Sequence, residues 1–205
     1  WHSNLCEINC CGLLHLHPPK LRDKICAISK AVGLFWKASM TAITLNLEPI
    51  AQLTHEQFYE LCMSNKDVAM ERSPKGELII MTPLGGLSGK KEADYITDLN
   101  IWNRQARLGE VFSASTVFDL PGGGDRSPDA AWIRLDRWES LTSEQQEKFP
   151  PICPDFVIEL RSRTDRLKPL QQKMQEYIRC GLQLGWLINP QDRQVEIYRL
   201  GQETE

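Results

Sequence analysis

The sequence predicts an α/β fold, a mixed β-sheet core flanked by α-helices, on three observations. Segments of strand and helix character are interspersed from about residue 53 to 199 with no internal repeat, the pattern of a sheet with helices packed on it. Pro154–Arg161 reads as a buried strand, opened by a proline and closed by polar residues. Directly after it, Leu167, Leu170, Met174, Tyr177 and Ile178 recur at the helical period. A chain of 205 residues, 41% hydrophobic and 25% charged, is long enough to bury one sizeable core.

Taken in order, residues 1–40 stand apart. They hold Cys6, Cys10, Cys11 and Cys26, four of the seven cysteines, and His2, His15 and His17, without a helical or alternating pattern. Their spacing fits no standard zinc finger. No basic start leads into a clean apolar stretch with a cleavage site, so a secretory signal is not expected. The segment is expected to be a poorly ordered extension, or upstream sequence included by a misplaced start, with one domain over 41–205.

That domain opens at Leu53–Phe58. Thr54 and Gln57 are placed as a capping box, and Leu53 and Phe58 as a hydrophobic staple, for a short helix through about Met63. Two strands near 67–72 and 77–82 flank the turn Ser73-Pro74-Lys75-Gly76. A long helix follows from about Ser88 to Arg107, with Tyr95, Leu99, Trp102 and Ala106 on one core-facing stripe and Gly109 as its stop. Strands at about 111–119 and 129–134 flank Pro121–Gly124, which has no helix after it and so reads as a flexible turn rather than a phosphate loop. Residues 136–150 form an acidic, polar insertion with a helix after Thr142. The helix from about Leu167 to Cys180 stops at Gly181, and strands at 184–188 and 194–199 close the chain as a hairpin.

Charge and hydropathy exclude two classes. A net charge of −3 is not that of an indiscriminate polycation, so any nucleic-acid surface must be local. No apolar run approaches the roughly 18 residues of a membrane span. An odd, irregular set of cysteines argues against a disulfide framework and for reduced thiols in a cytoplasm.

Within the strand, alternation points Phe156, Ile158 and Leu160 one way and Asp155, Val157 and Glu159 the other. A buried glutamate must face a cleft, pair with a cation or be protonated. Asp155 lies roughly 13 Å along the strand from Glu159, too far to share one ion. Asp129, after Pro128, begins a separate strand that a neighbour relationship could bring beside Glu159. The two carboxylates then suit Mg²⁺, with other positions left to water and phosphate. Alone, Asp129 reads equally as a turn residue and Glu159 as a rim ion pair. On the next helix Lys173 lies at the buried edge of the stripe, able to enter the cleft or snorkel to water, while Lys168 and Arg179 lie outward. Arg161, Arg163, Arg166, Lys168, Lys173 and Arg179 outnumber Asp165 and Glu176, which suits a phosphate backbone and equally an ordinary solvated helix.

Pro128-Asp129, then Glu159 within Asp155–Ser162, resembles the PD-(D/E)XK nuclease superfamily. The span from about Leu53 to Arg199 resembles the Uma-type restriction endonuclease family through Met81-Thr82-Pro83, Gly85-Gly86, Arg126–Trp132, Lys173–Tyr177 and Gly185–Pro190. The resemblance implies a restriction-endonuclease-like core, Mg²⁺ (or Mn²⁺) dependence and DNA phosphodiester hydrolysis, with Asp129 and Glu159 as metal ligands. The superfamily lysine normally lies two residues after the glutamate, where this chain has Arg161, which is always charged and a poor base. The family pattern moves that lysine to the next helix, at Lys173. It also assigns Glu71 to orienting water or completing the metal shell, with Glu92 a weaker candidate, whereas Arg163 departs from the family's small residue or proline.

Three functions compete: a DNA endonuclease, dimeric if both strands are cut; a nuclease-fold DNA-binding or regulatory module without turnover; and a protein-interaction module using residues 136–150.

Overall fold

The computed structural model describes residues 42–48 and 50–205; the expectation for residues 1–40 lies outside the described residues. Two five-stranded sheets and five helices make up the described part. The first sheet is antiparallel. Its order is β1 (Ile43–Leu45), β3 (Leu78–Ile80), β2 (Met70–Arg72), β6 (Asp125–Arg126) and β5 (Phe118–Asp119). The second is mixed, in the order β10 (Gln194–Arg199), β9 (Leu184–Asn189), β8 (Phe156–Leu160), β7 (Ala130–Arg134) and β4 (Gly109–Ser113). Only the β8–β9 pair is parallel, because helix α5 (Leu167–Arg179) carries the chain back between them.

The capping box forms as expected: Thr54 Oγ1 accepts from Gln57 N at 3.3 Å and Gln57 Oε1 from Thr54 N at 3.0 Å, starting α1 (His55–Ser64). Leu53 and Phe58 meet in one apolar cluster with Met70 and Leu78, as the staple requires. The central core lies between β7–β9 and α5, where Ile133, Val157, Met174, Tyr177, Leu182 and Leu187 are all fully buried. On the other face, Tyr95, Ile96 and Leu99 of α2 (Gly86–Ala106) cover Ala130, Ile158, Leu160 and Ile188.

Four expectations are corrected. The strand placed at 111–119 is two, β4 and β5, in different sheets, divided by a turn in which Thr116 N donates to Ser113 O. Helix α2 stops at Arg107, left-handed at φ 55°, and Gly109 instead lies in β4, where a Cβ would run into the Ile133 carbonyl and the Trp132 ring. The stripe on α2 is only half covered: Trp102 is 45% exposed and no residue of the helix is fully buried, and among the described residues this is the one helix packed on the Ala130, Ile158, Leu160 and Ile188 face. Pro121–Gly124 is not merely a flexible turn; Gly124 is buried against the Arg72 carbonyl, leaving no room for a side chain. The insertion folds as α3 (Leu135–Glu139) and α4 (Ser143–Glu147), the latter behind a Thr142–Gln145 capping box.

Candidate active site

Strand β8 brings Glu159 to the α5 side of the sheet, as alternation dictates, and Glu159 is 3% exposed. Strand β7 runs antiparallel to it with Ala130 opposite Ile158, so continuing the register by one residue sets Asp129 opposite Glu159. Asp129 Oδ2 accepts from Leu160 N at 2.5 Å, which ties the two strand ends together. From α5, Lys173 extends into the same space. Its Nζ lies 2.7 Å from Glu71 Oε1 and 2.8 Å from Glu159 Oε1, and donates to Ser127 O at 3.1 Å. Lys173 therefore turns inward to the two carboxylates instead of snorkelling; Lys168 and Arg179 are exposed, as their helical positions require.

All four residues singled out in the sequence, Asp129, Glu159, Lys173 and Glu71, thus converge from the residue before β7, from β8, from α5 and from β2. Glu92, on α2, lies close enough for its charge to act on Asp129. Asp155 is elsewhere: it accepts from Arg134 N at 2.9 Å and pairs with Arg137 at 2.8 Å. Arg161 turns away as well, its Nη1 3.2 Å from Asp192 and 3.3 Å from Asn189 Oδ1, pinning the end of β8 to the β9–β10 turn.

Sequence reasoning gave no role to the residues that hold this group in place. One turn apart from Lys173 on α5, Tyr177 donates to Glu159 Oε1 at 3.0 Å. Arg126 spans Glu71 Oε2 at 3.0 Å and Glu176 Oε2 at 2.6 Å, and Glu176 Oε1 accepts from Gly124 N. Ser127 N donates to Glu71 Oε1 at 2.9 Å. Tyr177 sits on the apolar stripe and resembles core; Arg126 precedes the Ser127-Pro128-Asp129 segment with nothing local to announce a buried partner. Glu176, three residues after Lys173, was visible only as spacing.

Electrostatics follow from this packing. Burial pushes the Glu71 carboxyl up, but Lys173 and Arg126 outweigh it and hold it below the ordinary range. Glu159 is raised, burial exceeding the pull of Lys173. Asp129 is pushed up to about 8, by burial first and the Glu159 charge second. Burial would lower Lys173, yet Glu159 and Glu71 keep its ammonium above the usual range.

The donor set suits a divalent cation. Glu159 Oε1 takes both Lys173 and Tyr177, and Asp129 Oδ2 takes Leu160 N; Glu159 Oε2 and Asp129 Oδ1 accept no hydrogen bond among the described residues. Neither is a sealed, unsatisfied atom. Glu71 differs, because both its oxygens are engaged.

No helix among the described residues is long and apolar enough to cross a membrane. No protein with a curated description matches the chain. A solved structure, that of a putative nuclease of the DUF820 family from Anabaena variabilis, matches with a TM-score of 0.59 and 24% identity, covering 67% of this chain and 75% of that one. At that identity the likeness shows a shared fold alone. The family model described as putative restriction endonuclease, Uma2, matches residues 55–205, most of the chain, and the chain belongs to that family.

Proposed function

We propose that this protein is a Mg²⁺-dependent endonuclease that hydrolyses DNA phosphodiester bonds, with Mn²⁺ as a substitute ion and Asp129 and Glu159 as the metal ligands. The observation that supports this best is the facing pair of carboxylates, each with one oxygen taken by a protein donor and the other accepting no hydrogen bond among the described residues, beside the Lys173 ammonium. A bound ion supplies Lewis acidity toward a phosphoryl oxygen and makes a coordinated water more acidic. The chain's own residues do the rest. Lys173, kept protonated by its two carboxylate neighbours, offers a fixed positive charge to the developing phosphorane rather than a base. Glu71 is a positioning residue: with both oxygens engaged, it aims Lys173. Tyr177 and Lys173 together hold the Glu159 carboxylate in one orientation. Cutting both strands of a duplex requires two such sites, which suits a homodimer.

Purified protein incubated with plasmid and Mg²⁺ or Mn²⁺ is expected to nick or linearise it. Asp129→Ala/Glu159→Ala is expected to abolish cleavage, and Lys173→Met to reduce it by about 100-fold or more. Equal cleavage by wild type and the double variant would defeat the reading. DNA retention without cleavage under both ions would make the protein a binding module instead.

A further inference from the structure

A second polar cluster lies on the other face of the same strands. Alternation along β2 and β6 sends Glu71 and Arg126 toward the candidate active site, and Arg72 and Asp125 away from it. There Asp125, with no exposure, stands directly opposite Asp119 in the β5–β6 register. Like charges paired across adjacent strands repel unless a cation joins them. His55, from the first turn of α1, is aimed between them, with Nδ1 2.6 Å from Asp125 Oδ1 and 3.6 Å from Asp119 Oδ1. The three ligand atoms lie within 4.8 Å of one another, the one such group of three among the described residues. Arg72 Nε holds the other Asp125 oxygen, Oδ2, and so orients Oδ1 toward the histidine, as outer partners of metal-bound carboxylates do.

We propose that His55, Asp119 and Asp125 form a binding site for a first-row divalent transition metal, Zn²⁺ or Mn²⁺, that clamps α1 to the β5–β6 hairpin. The mixed donor set decides the class: an imidazole nitrogen favours transition metals, whereas Mg²⁺ prefers oxygen alone. The ion takes the place of the hydrogen between Nδ1 and Asp125, and the neutral imidazole then carries its proton on Nε2. Access is available, because His55 and Asp119 are each more than a quarter exposed at the side chain, and His55 also lines an open cleft of about 320 Å³ with Tyr59, Lys148 and Phe149. The site is independent of the endonuclease reading.

The test uses the full chain carrying Asp129→Ala/Glu159→Ala, which removes the two carboxylates proposed as metal ligands. Zn²⁺ titration followed by calorimetry and thermal melting compares this reference with versions that add His55→Asn or Asp119→Asn. Cys6, Cys10, Cys11, His15 and His17 are present in all three, so their zinc binding cancels in the comparison. The reference is expected to bind one more Zn²⁺ than either variant, or to bind it at least about tenfold tighter, and only the reference is expected to gain Tm from that ion. Identical stoichiometry and melting shifts across the three would overturn the site and leave a histidine–carboxylate ion pair only. Should a variant fail to fold, the reference still decides: His55 imidazole NMR signals that do not respond to Zn²⁺ overturn the proposal.

Discussion

At the residue scale, the informative fact is how unevenly the buried acids are served. Glu71 receives Lys173, Arg126 and a backbone amide, whereas Asp129 receives one amide and faces another carboxylate. Its pKa therefore rises from 3.8 to about 8, so the metal-free native state holds a proton that the unfolded chain has released. The unfolded state binds fewer protons in this window, so this group's contribution to stability is full below about pH 4, declines as pH rises and is lost above about 8. In EDTA, Asp129→Asn is expected to show a flatter fall in Tm across that range than wild type; parallel curves would contradict the assignment. If Asp129 ligates Mg²⁺ as proposed, the same linkage is expected to make the affinity rise with pH toward 8, with about one proton released per ion near neutrality. Calorimetry in buffers of different ionisation heat measures that release.

At the element scale, β2 and β6 have only three and two residues, yet they separate two polar clusters by alternation alone. That separation depends on backbone contact without side chains. A Cβ at Gly124 would meet the Arg72 carbonyl, so Gly124→Ala is expected to destabilise by about 1–3 kcal/mol and to disturb the Glu176 amide contact. Gly89, inside α2 with open space around its Cβ position, should behave oppositely: Gly89→Ala is expected to stabilise by about 0.5–1 kcal/mol. Urea denaturation of the two variants tests the pair. A stabilised Gly124→Ala protein would mean the β2–β6 contact is looser than its geometry.

For the whole molecule, a net charge of −3 leaves little general attraction for DNA, so the proposed DNA binding must rely on a local surface. The loop leaving Glu159 and the start of α5 expose Arg163, Arg166 and Lys168. Replacing all three by glutamine is expected to weaken DNA retention and reduce the slope of log affinity against log salt by about 2–3. An unchanged slope in filter-binding or anisotropy titrations would move the phosphate contacts elsewhere. The same mutations should leave melting nearly unchanged, since exposed charges contribute little to stability.

Local chemistry determined a good deal: the Thr54 cap, the two faces of β8 and the amphipathic stripe of α5 rest on periodicity and turn residues that act within a few residues, while the family resemblance nominated Lys173 and Glu71 beside Asp129 and Glu159. Tertiary structure decided which residues oppose one another. The β7–β8 register faced Asp129 with Glu159; the division of 111–119 between two sheets carried Asp119 to Asp125 and His55; and the β2–β6 pairing set Arg126 on Glu71. All but the Asp119–Asp125 pair lie tens of residues apart, and a strand shifted by one position would turn each of them to the other face. No local signal carries that choice; it is made by packing the whole sheet.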